Sequence, residues 1–242
     1  PRQRLDVYAP PKALLAQGSA PLAVFFYGGS WDSGRRQDYN WVGRALASRG
    51  FVTVVADYRL YPEVKYPDFL ADAAQAVRWA GDNAARYGAD PDRIVLVGHS
   101  AGAYNAAMLA LDGRYLQAAG VAPTRVKAFA GLSGPYDFLP LQGSVTRRVF
   151  GHAADLPATQ PMAYMTKASP PAFLATGDAD DTVWPKNTVA LARSLRAAGV
   201  EVAERHYAGV DHIRIVLALS RPLRGGVPVL DEMTDFLRRH AG

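Results

Sequence analysis

The stretch that most limits the possible fold is Ile94-Val95-Leu96-Val97, followed by Gly98-His99-Ser100-Ala101-Gly102 and then by the helix-forming run Ala101 to Leu111. A short apolar run of this kind reads as a buried strand, and the turn after it is too tight for side chains at its two glycines. Strand, sharp turn and helix in that order are half of a crossover unit, so a mainly parallel sheet covered by helices is expected. One serine sits at the apex. No other serine in the chain has glycine both two positions before it and two positions after it.

The rest of the chain keeps the same alternation of short apolar runs with longer amphipathic ones. Strands are expected at Arg4 to Tyr8, Leu22 to Tyr27, Val52 to Asp57, Ile94 to Gly98, Val126 to Leu132, Ala172 to Thr176 and Val200 to His206. Helices are expected at Asp38 to Arg49, Pro67 to Tyr87, Ala101 to Leu111, Pro185 to Ala198 and Val227 to His240. Gly50, Gly88 and Gly199 mark helix exits. No internal repeat or low-complexity tract interrupts the series, and 242 residues with 49% apolar side chains suit one α/β domain over residues 1–242. The segment 137–169 fits poorly: it is long for a connection, carries several prolines, and is expected to fold over the sheet as a small lid.

A serine held at a strand-to-helix turn faces the N-terminal N–H groups of the helix, which favour negative charge nearby. Its hydroxyl is a poor nucleophile until a base takes the proton, and that base needs a third group to orient it. In a parallel sheet such partners sit on loops at the carboxyl ends of strands. Of the five histidines, only His212 lies in a glycine-containing loop just past a late strand. His99 belongs inside the turn and packs beneath it. The acid is sought in Gly177-Asp178-Ala179-Asp180-Asp181, where Asp178 follows the glycine too closely, Asp180 and Asp181 both fit by distance, and Asp180 is preferred. The order Ser100, Asp180, His212 along the chain is the one expected with a serine on this type of turn. An earlier strand, Leu22 to Phe26, runs into Tyr27-Gly28-Gly29-Ser30-Trp31. Consecutive glycines there let backbone N–H groups turn toward a developing oxyanion, joined by the N–H of Ala101.

These motifs, with Asp57-Tyr58-Arg59-Leu60, resemble the α/β-hydrolase superfamily, and within it the esterase and lipase branch with its His-Gly-Gly-x-Trp motif; the likeness extends to carboxylesterases and kynurenine formamidases. The resemblance covers nearly the whole chain. It implies Ser100 as nucleophile, His212 as general base and then acid, Asp180 as the orienting carboxylate, and the N–H groups of Gly29, Ser30 and Ala101 as the oxyanion hole. Tyr27 stands where the family usually has histidine, and a tyrosine hydroxyl is expected to take over the bracing of the loop. Little chain precedes the first strand to build a helical cap, so an open site is expected.

The implied activity is hydrolysis of small or short-chain esters, aromatic ones included, through an acyl-enzyme and with no metal or organic cofactor. Trp31, Tyr104 and Trp184 are the substrate-contact candidates, with Tyr136, Phe138 and Phe150 as further rim aromatics. Arg147 and Arg148 in the lid are candidates to meet an acidic substrate, against the commoner case of exposed arginines that meet only water. Hydrolysis of N-formyl aryl amides, a serine peptidase and a non-catalytic binding module are the alternatives. The net charge of +5 comes mainly from dispersed arginines, which argues against nucleic acid as a partner. A homodimer is allowed. The absence of cysteine excludes disulfides, thiolate metal sites and a cysteine nucleophile. No apolar run is long enough to span a bilayer. The chain starts at Pro1 without an initiator Met, as a processed or truncated product would, so the compartment, cytoplasmic or exported, stays open.

Overall fold

A computed structural model of the chain describes residues 2–11, 14 and 19–242; Pro1, on which the expectation of a processed start rested, lies outside them. Seven strands form one sheet: β1 (Leu5–Tyr8), β2 (Ala20–Phe26), β3 (Val52–Ala56), β4 (Ala89–His99), β5 (Val126–Leu132), β6 (Ala172–Gly177) and β7 (Val202–Tyr207). They lie in the order β1-β3-β2-β4-β5-β6-β7. Only β1 runs antiparallel to its neighbour, β3; the other pairs are parallel. The inner strands are nearly continuous apolar runs, as expected where helices cover both faces of a sheet.

The helices are α1 (Asn40–Ala47), α2 (Asp68–Asp82), α3 (Ala101–Leu111), α4 (Gly113–Ala118), α5 (Ser144–Phe150), α6 (Lys186–Ala197), α7 (Arg214–Leu217) and α8 (Val229–Ala241). Helix α3 is buried along almost its whole length, which its small residues Ala101, Gly102, Ala103, Ala106 and Ala107 permit between the sheet and α2. Helix α8 packs its apolar face on β4, β5 and β6 and touches α1. Two partly buried ion pairs tie the early elements together. Asp57, just past β3, accepts from the Arg36 backbone and guanidinium at 2.8 and 2.6 Å, and Asp72 of α2 takes Arg59 at 2.8 and 2.9 Å.

Several expected boundaries shift. The helix foreseen over Pro67 to Tyr87 ends at Asp82, and a 3₁₀ turn (Ala84–Tyr87) follows, closed by Gly88 at φ 77°. The fourth strand starts at Ala89, five residues ahead of the apolar run, because Ala20 and Pro21 of β2 pair with Ala89 and Asp90. Helices α4 and α7 were not foreseen; six and four residues are too few to display a helical period. The segment 137–169 carries α5 and two 3₁₀ turns (Pro157–Thr159 and Pro161–Ala163), and it covers the carboxyl ends of the central strands as a small lid.

Candidate active site

The strand-to-helix turn bends as sharply as its glycines suggest. Ser100 has φ 55° and ψ −124°, a backbone conformation that a side chain other than glycine adopts only when its surroundings hold it there. A Cβ at Gly98 would run into the Gly102 carbonyl, and one at Gly102 into the Phe26 carbonyl, so no alanine fits at either place. The Ser100 N–H donates to the Leu132 carbonyl at 2.9 Å, which fixes the apex against β5.

Three side chains from three loops meet there. Ser100 Oγ lies 2.9 Å from His212 Nε2, and His212 Nδ1 lies 2.8 Å from Asp180 Oδ2. All three residues are buried. The other oxygen of Asp180 accepts the backbone N–H groups of Thr182 and Val183 at 3.1 and 2.8 Å. Burial pulls the Asp180 carboxyl upward; the His212 hydrogen bond and the Val183 N–H outweigh it, and the carboxyl sits below its ordinary range. An ionised Asp180 keeps the proton of His212 on Nδ1 and leaves Nε2 as an acceptor for the serine hydroxyl. Asp181, the alternative acid, is exposed; its carboxylate accepts the Thr182 hydroxyl at 3.5 Å and its backbone carbonyl the Trp184 indole N–H at 3.1 Å. Asp178 accepts the Gly209 N–H and so joins the acid loop to the loop carrying His212.

The loop after β2 has three successive residues at positive φ: Gly29 at 124°, Ser30 at 52° and Trp31 at 61°. Within the described residues the N–H groups of Ser30 and Ala101 donate no hydrogen bond, and both residues line the same cavity as Ser100. Gly29 stands one residue behind that lining and accepts from Asp32 and Ser33 through its carbonyl. Tyr27 braces the loop with its ring, stacked 4.8 Å from Tyr58 and 5.7 Å from Tyr39, while the Tyr58 hydroxyl holds the Tyr27 carbonyl at 2.7 Å. Ring stacking thus does what was expected of the Tyr27 hydroxyl.

The cavity above Ser100 has a volume of about 340 Å³. Trp31 and Phe138 line it, and Trp184, 61% exposed, stands at its mouth with Lys186 Nζ 5.6 Å from its ring. Tyr104 corrects the expected set of substrate contacts. It is fully buried, its hydroxyl donates to the Thr159 carbonyl at 2.6 Å, and it belongs to the aromatic cluster of Trp31, Phe69, Phe138 and Phe150 beneath the lid. Tyr136 and Phe150 are likewise core residues. Arg147 donates to the Leu141 carbonyl and Arg148 stacks over Tyr61, so neither lines the cavity. A residue the sequence did not single out is Asn187. Its Oδ1 accepts from the N–H groups of Tyr136 and Asp137 at 3.0 and 2.9 Å, and its amide donates to the Trp184 carbonyl at 3.1 Å, so it clamps one cavity wall to the other. The sequence signal was only an asparagine in the first turn of an otherwise amphipathic helix.

Among known proteins, the chain matches the BD-FAE family over residues 5–195, a stretch that contains Ser100 and Asp180 and stops short of His212. It is 30% identical over 262 residues to a probable isoprenylcysteine alpha-carbonyl methylesterase, ICMEL2 of Arabidopsis thaliana, with 98% of this chain and 59% of that protein aligned. It is 31% identical over 251 residues to the esterase LipQ of Mycobacterium tuberculosis, covering 96% of this chain and 58% of the other. The chain therefore spans less than two thirds of the length of these relatives. The butyrate-bound structure of a thermophilic esterase, Est2 of Thermogutta terrifontis, superposes with a TM-score of 0.78 at 26% identity over 97% of this chain and 88% of that one. Sequence match and shared α/β-hydrolase architecture agree, and the chain belongs to the BD-FAE family.

Proposed function

We propose that this chain is a serine carboxylic-ester hydrolase for small or short-chain esters, aromatic ones included, with residues 1–242 acting as one catalytic domain. The observation that carries the reading is the unbroken hydrogen-bonded series Asp180, His212, Ser100, buried beneath a cavity. Ser100 Oγ attacks the ester carbonyl carbon as its proton passes to His212 Nε2; Asp180 steadies the imidazolium so formed. The carbonyl oxygen, now negative, takes the N–H groups of Ser30 and Ala101, which line the cavity, while Gly29 shapes the loop that presents Ser30. His212 returns the proton to the departing alcohol, and a water activated by the same nitrogen releases the acid and restores the serine. A cavity of about 340 Å³, with Trp31 on its wall and Trp184 at its mouth, suits a compact acyl or aryl group. The esterase names of the relatives and the butyrate bound to the Thermogutta terrifontis protein support the same class.

Hydrolysis of p-nitrophenyl esters from acetate to palmitate, with the wild-type chain and Ser100→Ala, tests the reading. Turnover concentrated on short acyl chains and lowered on the order of 10⁴-fold or more by the substitution is expected. Turnover unaffected by Ser100→Ala, or faster on a formylated aromatic amine than on any ester, sinks it. No described helix is long and apolar enough to cross a membrane. A second copy of the chain is the further partner of this reading, read out by light scattering.

A further inference from the structure

His99 is the one ionisable group of the turn to which the reaction above assigns no part. Its ring is buried, 2% exposed, and its centroid lies 4.9 Å from that of His212. Nε2 stands 2.8 Å from the backbone carbonyl oxygen of His212. A carbonyl only accepts, so Nε2 carries the proton and Nδ1 is left with a bare lone pair. Nδ1 has no hydrogen-bond partner among the described residues and faces the loop after β2: a Cβ at Gly28 would stand 3.1 Å from it and 2.9 Å from the Ser100 Cβ. The turn with the serine, the loop with Ser30 and the loop with His212 all converge on this ring. An apolar side chain would fill the same space without a buried unpaired nitrogen, and such a nitrogen costs stability. What the imidazole adds is its one donor.

We propose that His99 is a positioning residue: its Nε2–H grips the main chain of His212 and sets the imidazole at the distance from Ser100 that proton transfer requires, a role that presupposes the serine-hydrolase reading. Burial, followed by the nearby His212, pushes the His99 pKa down to about 3. The donor therefore stays neutral through the pH range in which the base works, and it sets no second positive charge against the imidazolium of His212.

Two amides of equal polarity separate this role from packing. The nitrogen of His99→Gln reaches the position of Nε2, whereas that of His99→Asn ends near Nδ1. With p-nitrophenyl acetate, His99→Gln keeps kcat within about 3-fold of wild type, while His99→Asn loses about 10²-fold in kcat with KM changed less than about 2-fold. The downfield proton NMR resonance of His212 Nδ1–H, shared with Asp180, persists in the wild-type chain and the Gln variant and disappears in the Asn variant. Equal kcat for the two amides, both high or both low, overturns the proposal. If the wild-type chain turns over no ester, the ester-hydrolase reading falls, and the resonance alone decides for or against His99. If the Asn variant unfolds, His99→Met, which fills the volume without a donor, replaces it under the same criteria.

Discussion

At the scale of single residues, the site depends on which proton sits on which nitrogen. Replacing Asp180 with Asn removes the acceptor that keeps the His212 proton on Nδ1, and a fall in kcat of about 10⁴-fold with the fold intact is expected from steady-state kinetics and circular dichroism. The same carboxyl is depressed in the folded chain, so its contribution to stability is present above the unfolded carboxylate pKa and is lost as pH falls through the lower folded value. His99 acts in a higher window. The unfolded imidazole takes a proton near pH 6.5 and the folded one only near 3, so stability falls as pH drops across that interval, by at most about 1.4 kcal/mol per pH unit. Urea titrations between pH 7 and pH 4 on wild type and His99→Gln check this: the variant has the shallower slope. The charged and titratable groups that set the His99 value are His212 and Asp180, both at the same site. Residue type and spacing in the chain led to Ser100, Asp180 and His212, and the atoms of all three lie within hydrogen-bonding distance. Tyr104 was misread because one aromatic side chain near a site looks like another until the partner of its hydroxyl is known.

At the scale of elements, the tight turn and the loop before it are one mechanical unit. A methyl group at Gly102 collides with the carbonyl oxygen of Phe26, and main chain does not move aside as a side-chain tip would. Gly102→Ala is expected to cost about 1–3 kcal/mol or more, a drop in Tm of roughly 2–12 °C, and to lose activity as the Tyr27 to Trp31 loop is displaced. Gly225→Ala, where a Cβ meets nothing within 4 Å, serves as the control with unchanged Tm in the same melting experiment. Short apolar runs made the strands legible, but not the antiparallel direction of β1 or the early start of β4, which depend on pairing partners distant in sequence. The lid was legible only as an anomaly of length and proline content. Its inner surface, where Phe150 packs edge-on against Trp31 with ring centres 4.8 Å apart, follows from tertiary packing that no local pattern encodes.

At the scale of the whole molecule, the strand order decides where chemistry is possible. The chain passes from β2 to β3 on one side and then to β4 on the other, so the carboxyl ends of β2 and β4 part at a crevice. Ser30 and Ser100 stand on its two banks, with Asp180 and His212 following β6 and β7. Helix α8 holds this arrangement from below: Phe236 is 1% exposed and meets Phe173 of β6 at 6.1 Å between ring centres. Phe236→Ala is expected to cost about 3–5 kcal/mol in chemical denaturation, with activity retained in the fraction that stays folded. The spread of the site along the chain has a consequence for synthesis. A ribosome releases Ser100 long before Asp180, and Asp180 before His212, so a growing chain bears an unactivated serine until its last strand has paired. On the proposed hydrolase reading, chains stalled or clipped before residue 212 are expected to be inactive, and activity measured during translation is expected to report the arrival of the loop that follows β7.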